Sequence, residues 1–106
     1  MRIAVLGDIG QEIYHVGDEA MTHAVAYELS QRGMTPVLLT RSEELTRRDH
    51  GEVESFPSLR FPHDEEWRIR FLTEIRDVLA GDTKRLPSTN QFFAFRENLS
   101  SCDALV

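Results

Sequence analysis

The chain opens on an apolar, β-branched run, Arg2-Ile3-Ala4-Val5-Leu6, that stops at Gly7. No polar residue alternates within Ile3 to Leu6, so the run predicts a strand buried on both faces, as in a parallel sheet. Asp8 to Gly17 is a loop punctuated by Gly10 and Gly17, with Gly7 at its entry. From about Asp18 to Arg32 apolar positions recur at helical spacing. Met21, Ala24, Val25 and Leu29 make the predicted buried stripe, which Ala20 and Tyr27 widen. Asp18 and Glu19 stand where the helix dipole favours negative charge, and Gly33 supplies the stop. Thr35-Pro36-Val37-Leu38-Leu39-Thr40 is the second strand, with Pro36 near its start.

The polar stretch Arg41 to Gly51 reads as a surface loop, and Val53 to Phe56 as a short third strand at a sheet edge. A second helix is predicted over Asp64 to Ala80, burying Trp67, Phe71, Leu72, Ile75, Val78 and Leu79. A third starts at Ser88 or Thr89 and buries Phe92, Phe95 and Leu99, with Phe93 near the edge of that face. Asp103-Ala104-Leu105-Val106 is the entry to a fourth strand. Strand, helix and strand in close succession predict right-handed βαβ connections. The expected fold is therefore α/β: a three-layer αβα, Rossmann-like parallel sheet in the order 3-2-1-4, with the first strand central. An apolar strand start at the last residues gives the further expectation of one incomplete domain over 1–106, truncated before its fold is finished.

Composition narrows the chemistry. The 106 residues are 41% apolar and 28% charged, enough for a packed core under a soluble surface. A net charge of −6 argues against nucleic acid, whose phosphates need a concentrated basic face. One cysteine, Cys102, precludes an intrachain disulfide and makes a cytoplasmic location the default. No stretch approaches the length of a membrane span.

The loop after the first strand is the one constellation of chemical interest, because ligands of α/β sheets bind outside the carboxyl ends of strands. Gly7, Gly10 and Gly17 do not have the dinucleotide-binding spacing, and no lysine follows them as in a phosphate-binding loop. Asp18 and Glu19 would also repel a pyrophosphate. Asp8, His15, Asp18 and His23 match no metal-ligand pattern, so loop and surface histidines are the preferred reading, with no metal and no cofactor.

The stretch His15-Val16-Gly17-Asp18-Glu19-Ala20-Met21, placed after this strand and loop, resembles the N-terminal signature of the polysaccharide pyruvyl transferase family. The resemblance covers Met1 to about Gly33 and returns faintly at Asp103-Ala104-Leu105-Val106. It implies a transferase of bacterial polysaccharide biosynthesis that moves a pyruvyl group from phosphoenolpyruvate to a pair of sugar hydroxyls. It implies a GT-B-like fold of two Rossmann-like halves, of which this chain is part of the first. His15, Gly17, Asp18 and Glu19 would bind the saccharide acceptor, the carboxylates either bonding its hydroxyls or orienting the loop. Where His15 stands the family usually has Asn. The phosphoenolpyruvate site falls in the other half, the catalytic residues lie outside this chain, and the chain by itself is expected to be inactive and to self-associate. A sugar-nucleotide glycosyltransferase of GT-B type and a non-catalytic α/β interaction module are the alternatives.

Overall fold

The computed structural model describes residues 1–81 and 90–106. Its strands are β1 (Arg2–Leu6), β2 (Thr35–Thr40), β3 (Glu54–Pro57) and β4 (Ala104–Leu105). They form one all-parallel sheet in the order β3-β2-β1-β4. The architecture is the α/β, Rossmann-like arrangement that the sequence predicts, with β1 inside the sheet and helices flanking it. Ala4 pairs with Val37 on one side and with Leu105 on the other. Ile3, Ala4 and Val5 are buried, as are Val37, Leu38 and Leu39, which explains why neither strand alternates with polar residues.

The helices are α1 (Val16–Gln31), α2 (Glu43–His50), α3 (Glu65–Leu79) and α4 (Asn90–Ser100). The chain divides into two compact units, one of Met1–Ser58 with Asn98–Val106 and one of Leu59–Glu97.

In the first unit the core gathers Val5, Ile9, Ala26 and Leu38, with Val25, Leu29 and Val53 against it. The buried face of α1 is rotated from the predicted apolar stripe: Val25 and Leu29 pack against the core as expected, but Met21 and Ala24 do not. Glu19, Thr22 and Ala26 are buried, whereas Met21 is 64% and Tyr27 57% exposed. The cause is steric and polar: α1 lies so close to the end of β1 that a Cβ on Gly7 would overlap the hydroxyl of Thr22, and only small or hydrogen-bonded residues fit there. Residues 41–51, expected to be a surface loop, instead carry the helix α2 with its caps. Ser42 Oγ accepts the amide of Leu45 at 3.3 Å and caps α2. Glu43 and Glu44 occupy its first turn, Arg47, Arg48 and His50 its last, and Gly51 at φ 64° ends it. At the amino end of the sheet the guanidinium of Arg2 grips both carboxylate oxygens of Glu54, at 2.7 and 2.8 Å.

In the second unit Asp64 Oδ1 caps α3 by accepting the amide of Trp67 at 3.0 Å. Of the six residues predicted to be buried on this helix only Phe71 is, packed edge-on against Phe61 at 5.7 Å. Ile75 and Val78 are half-buried, while Trp67, Leu72 and Leu79 are exposed. Helical spacing marks the apolar side of α3, but the unit buries little more than the Phe71 position on it. In the part of α4 that belongs to this unit Phe92 is buried and Phe93 and Phe95 are half-buried; Leu99, in the part that belongs to the first unit, is also half-buried. The predicted helix start at Ser88 or Thr89 lies outside the described residues.

Candidate functional site

β1 is the strand from which the chain leaves to one side, toward β2 and β3, and to which it returns on the other side through β4. The carboxyl ends of β1 and β4 therefore form the topological switch point, where open α/β sheets bind their ligands. Leu6 N donates to Val106 O at 2.9 Å, so the two chain segments run side by side up to that point. The loop from Gly7 to His15 leaves from here and enters α1.

The first part of this loop is fixed. Ile9 is fully buried, and its carbonyl accepts the amide of Arg41 at 3.1 Å and the hydroxyl of Thr40 at 3.4 Å. Thr40 Oγ1 in turn lies 2.6 Å from Thr46 Oγ1 and accepts the amide of Ser42 at 3.1 Å. Arg41 Nε reaches Asp8 Oδ1 at 3.0 Å. Gly10 has φ 74°, and its amide donates to Glu19 Oε1 at 3.0 Å. A side chain at Gly10 would run into Thr40 Oγ1 and come within 2.7 Å of the Ser42 amide, so the position needs glycine for space as well as for conformation.

The second part of the loop is exposed, with Ile13, Tyr14 and His15 facing out. His15 is the N-cap of α1 by backbone geometry, and its side chain makes no cap bond to the helix. Its Nδ1 instead lies 3.1 Å from Gln11 Nε2 and 3.6 Å from Asp18 Oδ2. Asp18 is a first-turn residue and not the cap, so it meets the helix through its charge and not through a capping bond. Gly17 faces open space, with nothing within 4 Å of where a Cβ would stand.

These positions bring Asp8, His15 and Asp18 together, one ligand atom of each lying within 4.8 Å of the others. Spacing alone gave no such grouping, because the loop doubles back to place Asp8 beside the start of the helix. His23 is not part of it; its ring lies 6.0 Å from that of His50. The group is at the surface, and the Asp8 carboxylate is already neutralised by Arg41. Two carboxylates and an imidazole beside helix-start amides, which have no intrahelical acceptors, offer both acceptors and donors. That suits a ligand with several hydroxyl groups better than a phosphate, whose charge the carboxylates oppose.

Of the residues predicted to bind an acceptor, His15 and Gly17 are exposed and Asp18 is half-exposed. Glu19 is not available to a ligand: its side chain is 3% exposed and both carboxylate oxygens are taken. One accepts the Gly10 amide and the other meets His50 Nε2, from the last turn of α2. Of the two roles the sequence left open for its carboxylates, contacting hydroxyls or orienting the loop, Glu19 has the second. Sequence reasoning missed His50, Thr40 and Arg41 as supports of this loop. The signal for His50 was the Ser42 cap, which makes His50 the last residue of a helix instead of a loop residue.

Comparison of the chain with protein-family models, with curated proteins and with solved structures finds no match.

Proposed function

We propose that the β1–α1 loop is the saccharide-binding element of a pyruvyl transferase. The observation that carries this reading is the exposed grouping of Asp8, His15 and Asp18 at the switch point of the sheet, with Gly17 open beside it. The order of residues around it, a first strand, a glycine-bearing loop and Gly17-Asp18-Glu19-Ala20, supports the same reading. Carboxylates and imidazole bond the two acceptor hydroxyls, and Gly17 lets the sugar approach the backbone. In the reaction both hydroxyl oxygens bond to the enol carbon of phosphoenolpyruvate and its bond to phosphate oxygen breaks. One hydroxyl proton ends on the methylene carbon and the other on phosphate. The donor carries a phosphate and a carboxylate, so cations outside this chain hold it. A cytoplasmic location belongs to this reading, in keeping with the single cysteine. Among the described residues no helix is long and apolar enough to cross a membrane.

The test has two arms. Phosphate release from phosphoenolpyruvate by the whole gene product, with a panel of saccharides bearing free hydroxyl pairs, should depend on the saccharide and yield a ketal visible by NMR. Titration of the labelled chain with the accepted saccharide should shift the amides of Gly17 and Asp18 before any others. Phosphate release that needs no saccharide, or turnover of a sugar nucleotide instead, overturns the reading.

A further inference from the structure

His50 lies 31 residues from Glu19 in sequence and on another helix, yet its side chain, like that of Glu19, is 3% exposed. Its Nε2 faces Glu19 Oε2, and its Nδ1 has no hydrogen-bond partner, the one such buried side-chain atom among the described residues. A buried carboxylate needs a donor on each oxygen, and Gly10 N supplies only one of them. A proton on Nε2 supplies the second. A proton on Nδ1 of a neutral ring would leave a buried N–H unpaired and set two acceptors against each other. An unprotonated Nδ1 leaves only a lone pair unpartnered, the less costly omission.

We infer that His50, as the tautomer protonated on Nε2, is a positioning residue for the β1–α1 loop: it fixes the Glu19 carboxylate, which holds the Gly10 amide and so the backbone that presents Asp8 and His15. The chain of contacts runs from α2 through α1 to the loop and ends at Gly10, whose left-handed conformation is the bend that turns the exposed part of the loop outward. The charged and titratable groups around the pair are His23 on α1, whose ring is 6.0 Å away, and Arg48 and Asp49 on α2, which bond to each other at 3.0 Å. Neither Arg48 nor Asp49 replaces His50 as a donor to Glu19, since Arg48 is engaged by Asp49 and Asp49 is itself an acceptor. The inference rests on the loop being a binding element. Its readouts need no ligand, so a failure to bind saccharide leaves them interpretable.

The first measurement uses the unsubstituted chain. Long-range proton–nitrogen correlation of the His50 ring should show Nε2 protonated and Nδ1 bare; a proton on Nδ1 alone overturns the assignment. The second is amide exchange in His50→Leu and His50→Gln. Leucine removes the donor, and exchange at Gly10 should rise about tenfold or more while Val5 and Leu38 change little. Glutamine restores an N–H near the position of Nε2 and should bring Gly10 back toward the parent rate. Equal acceleration of Gly10, Val5 and Leu38 in both variants would mean that His50 serves only overall stability, and an unchanged Gly10 would mean that Glu19 holds the loop without it. If His50→Leu does not fold, Glu19→Gln replaces it: the loss of charge on the acceptor should loosen Gly10 and move the His50 ring nitrogens, and a Gly10 rate equal to the parent's overturns the inference.

Discussion

Gly10 and Gly17 lie on the same loop and helix start but have opposite requirements. Gly10 has φ 74° and is crowded by Thr40 and the Ser42 backbone, so Gly10→Ala combines a strained conformation with overlap. A loss of roughly 1–3 kcal/mol or more is expected, read as a lower urea midpoint. Gly17 lies in the first turn of α1 in open space, so Gly17→Ala should leave stability unchanged or raise it by up to about 1 kcal/mol, and under the proposed function it should weaken saccharide binding by crowding the approach. Equal losses from the two would mean that Gly17 is also structurally required. At the other end of the sheet the Arg2 guanidinium, hydrogen-bonded to Glu54, holds the Glu54 carboxyl below its ordinary range. A carboxyl depressed in the folded state contributes stability above its unfolded pKa and loses it as pH falls through the folded one. Glu54→Gln should therefore be less stable than the parent at neutral pH, with the gap closing in acid; denaturation curves at the two pH values measure it. The pair is partly exposed, so the gap is small.

At the scale of elements, α2 is the one that sequence periodicity did not find. Eight residues with one apolar side chain, Leu45, carry too little pattern, and burial falls on Thr46 and His50, both polar. Its determinants are the Ser42 cap, the acidic first turn and the basic last turn. Ser42→Ala should cost about 0.5–2 kcal/mol, measured by chemical denaturation. Because α2 carries His50, the same substitution should also speed exchange at Gly10. An effect confined to α2 amides would show that the cap and the loop are uncoupled. α1 makes the complementary point. Its length follows from the sequence, but its rotation is set by Thr22 packed on Gly7 and by Glu19 bonded to Gly10, contacts that an apolar stripe cannot register.

For the molecule as a whole, the sheet of the described residues has β3 and β4 as its edges, and β4 brings Leu105 exposed beside Val106. Unpaired strand edges flanked by apolar side chains recruit further strands. We therefore expect the chain to self-associate through the β4 edge, with light scattering giving a mass above 12.2 kDa at high concentration; a monomer throughout counts against it. A net charge of −6, with Asp18 at the start of α1, opposes the polyanionic phosphoenolpyruvate that the proposed function requires. Calorimetric titration of the chain with phosphoenolpyruvate should give no saturable heat tighter than about millimolar. Saturable binding would place the donor site in this chain and change the assignment of the loop.

The sequence by itself determined the sheet. Uninterrupted apolar runs at 3–6 and 37–39 are the pattern of strands covered on both faces, as in a parallel sheet, although Leu6 at the end of the first is exposed, and the glycine-bearing loop falls at a strand's carboxyl end. It also determined which residues are charged and short enough to serve that loop. Only the tertiary structure decided which of them face solvent. Asp18 and Glu19 are neighbours with the same functional group, and one helical step of about 100° turns one toward solvent and the other into the protein. There Glu19 met the Gly10 amide and a histidine 31 residues away. Local pattern is set by neighbours along the chain, whereas the partner of a buried charge is set by what folding brings across from it, and that pairing separated the exposed Asp8, His15 and Asp18 from the buried carboxylate that supports them.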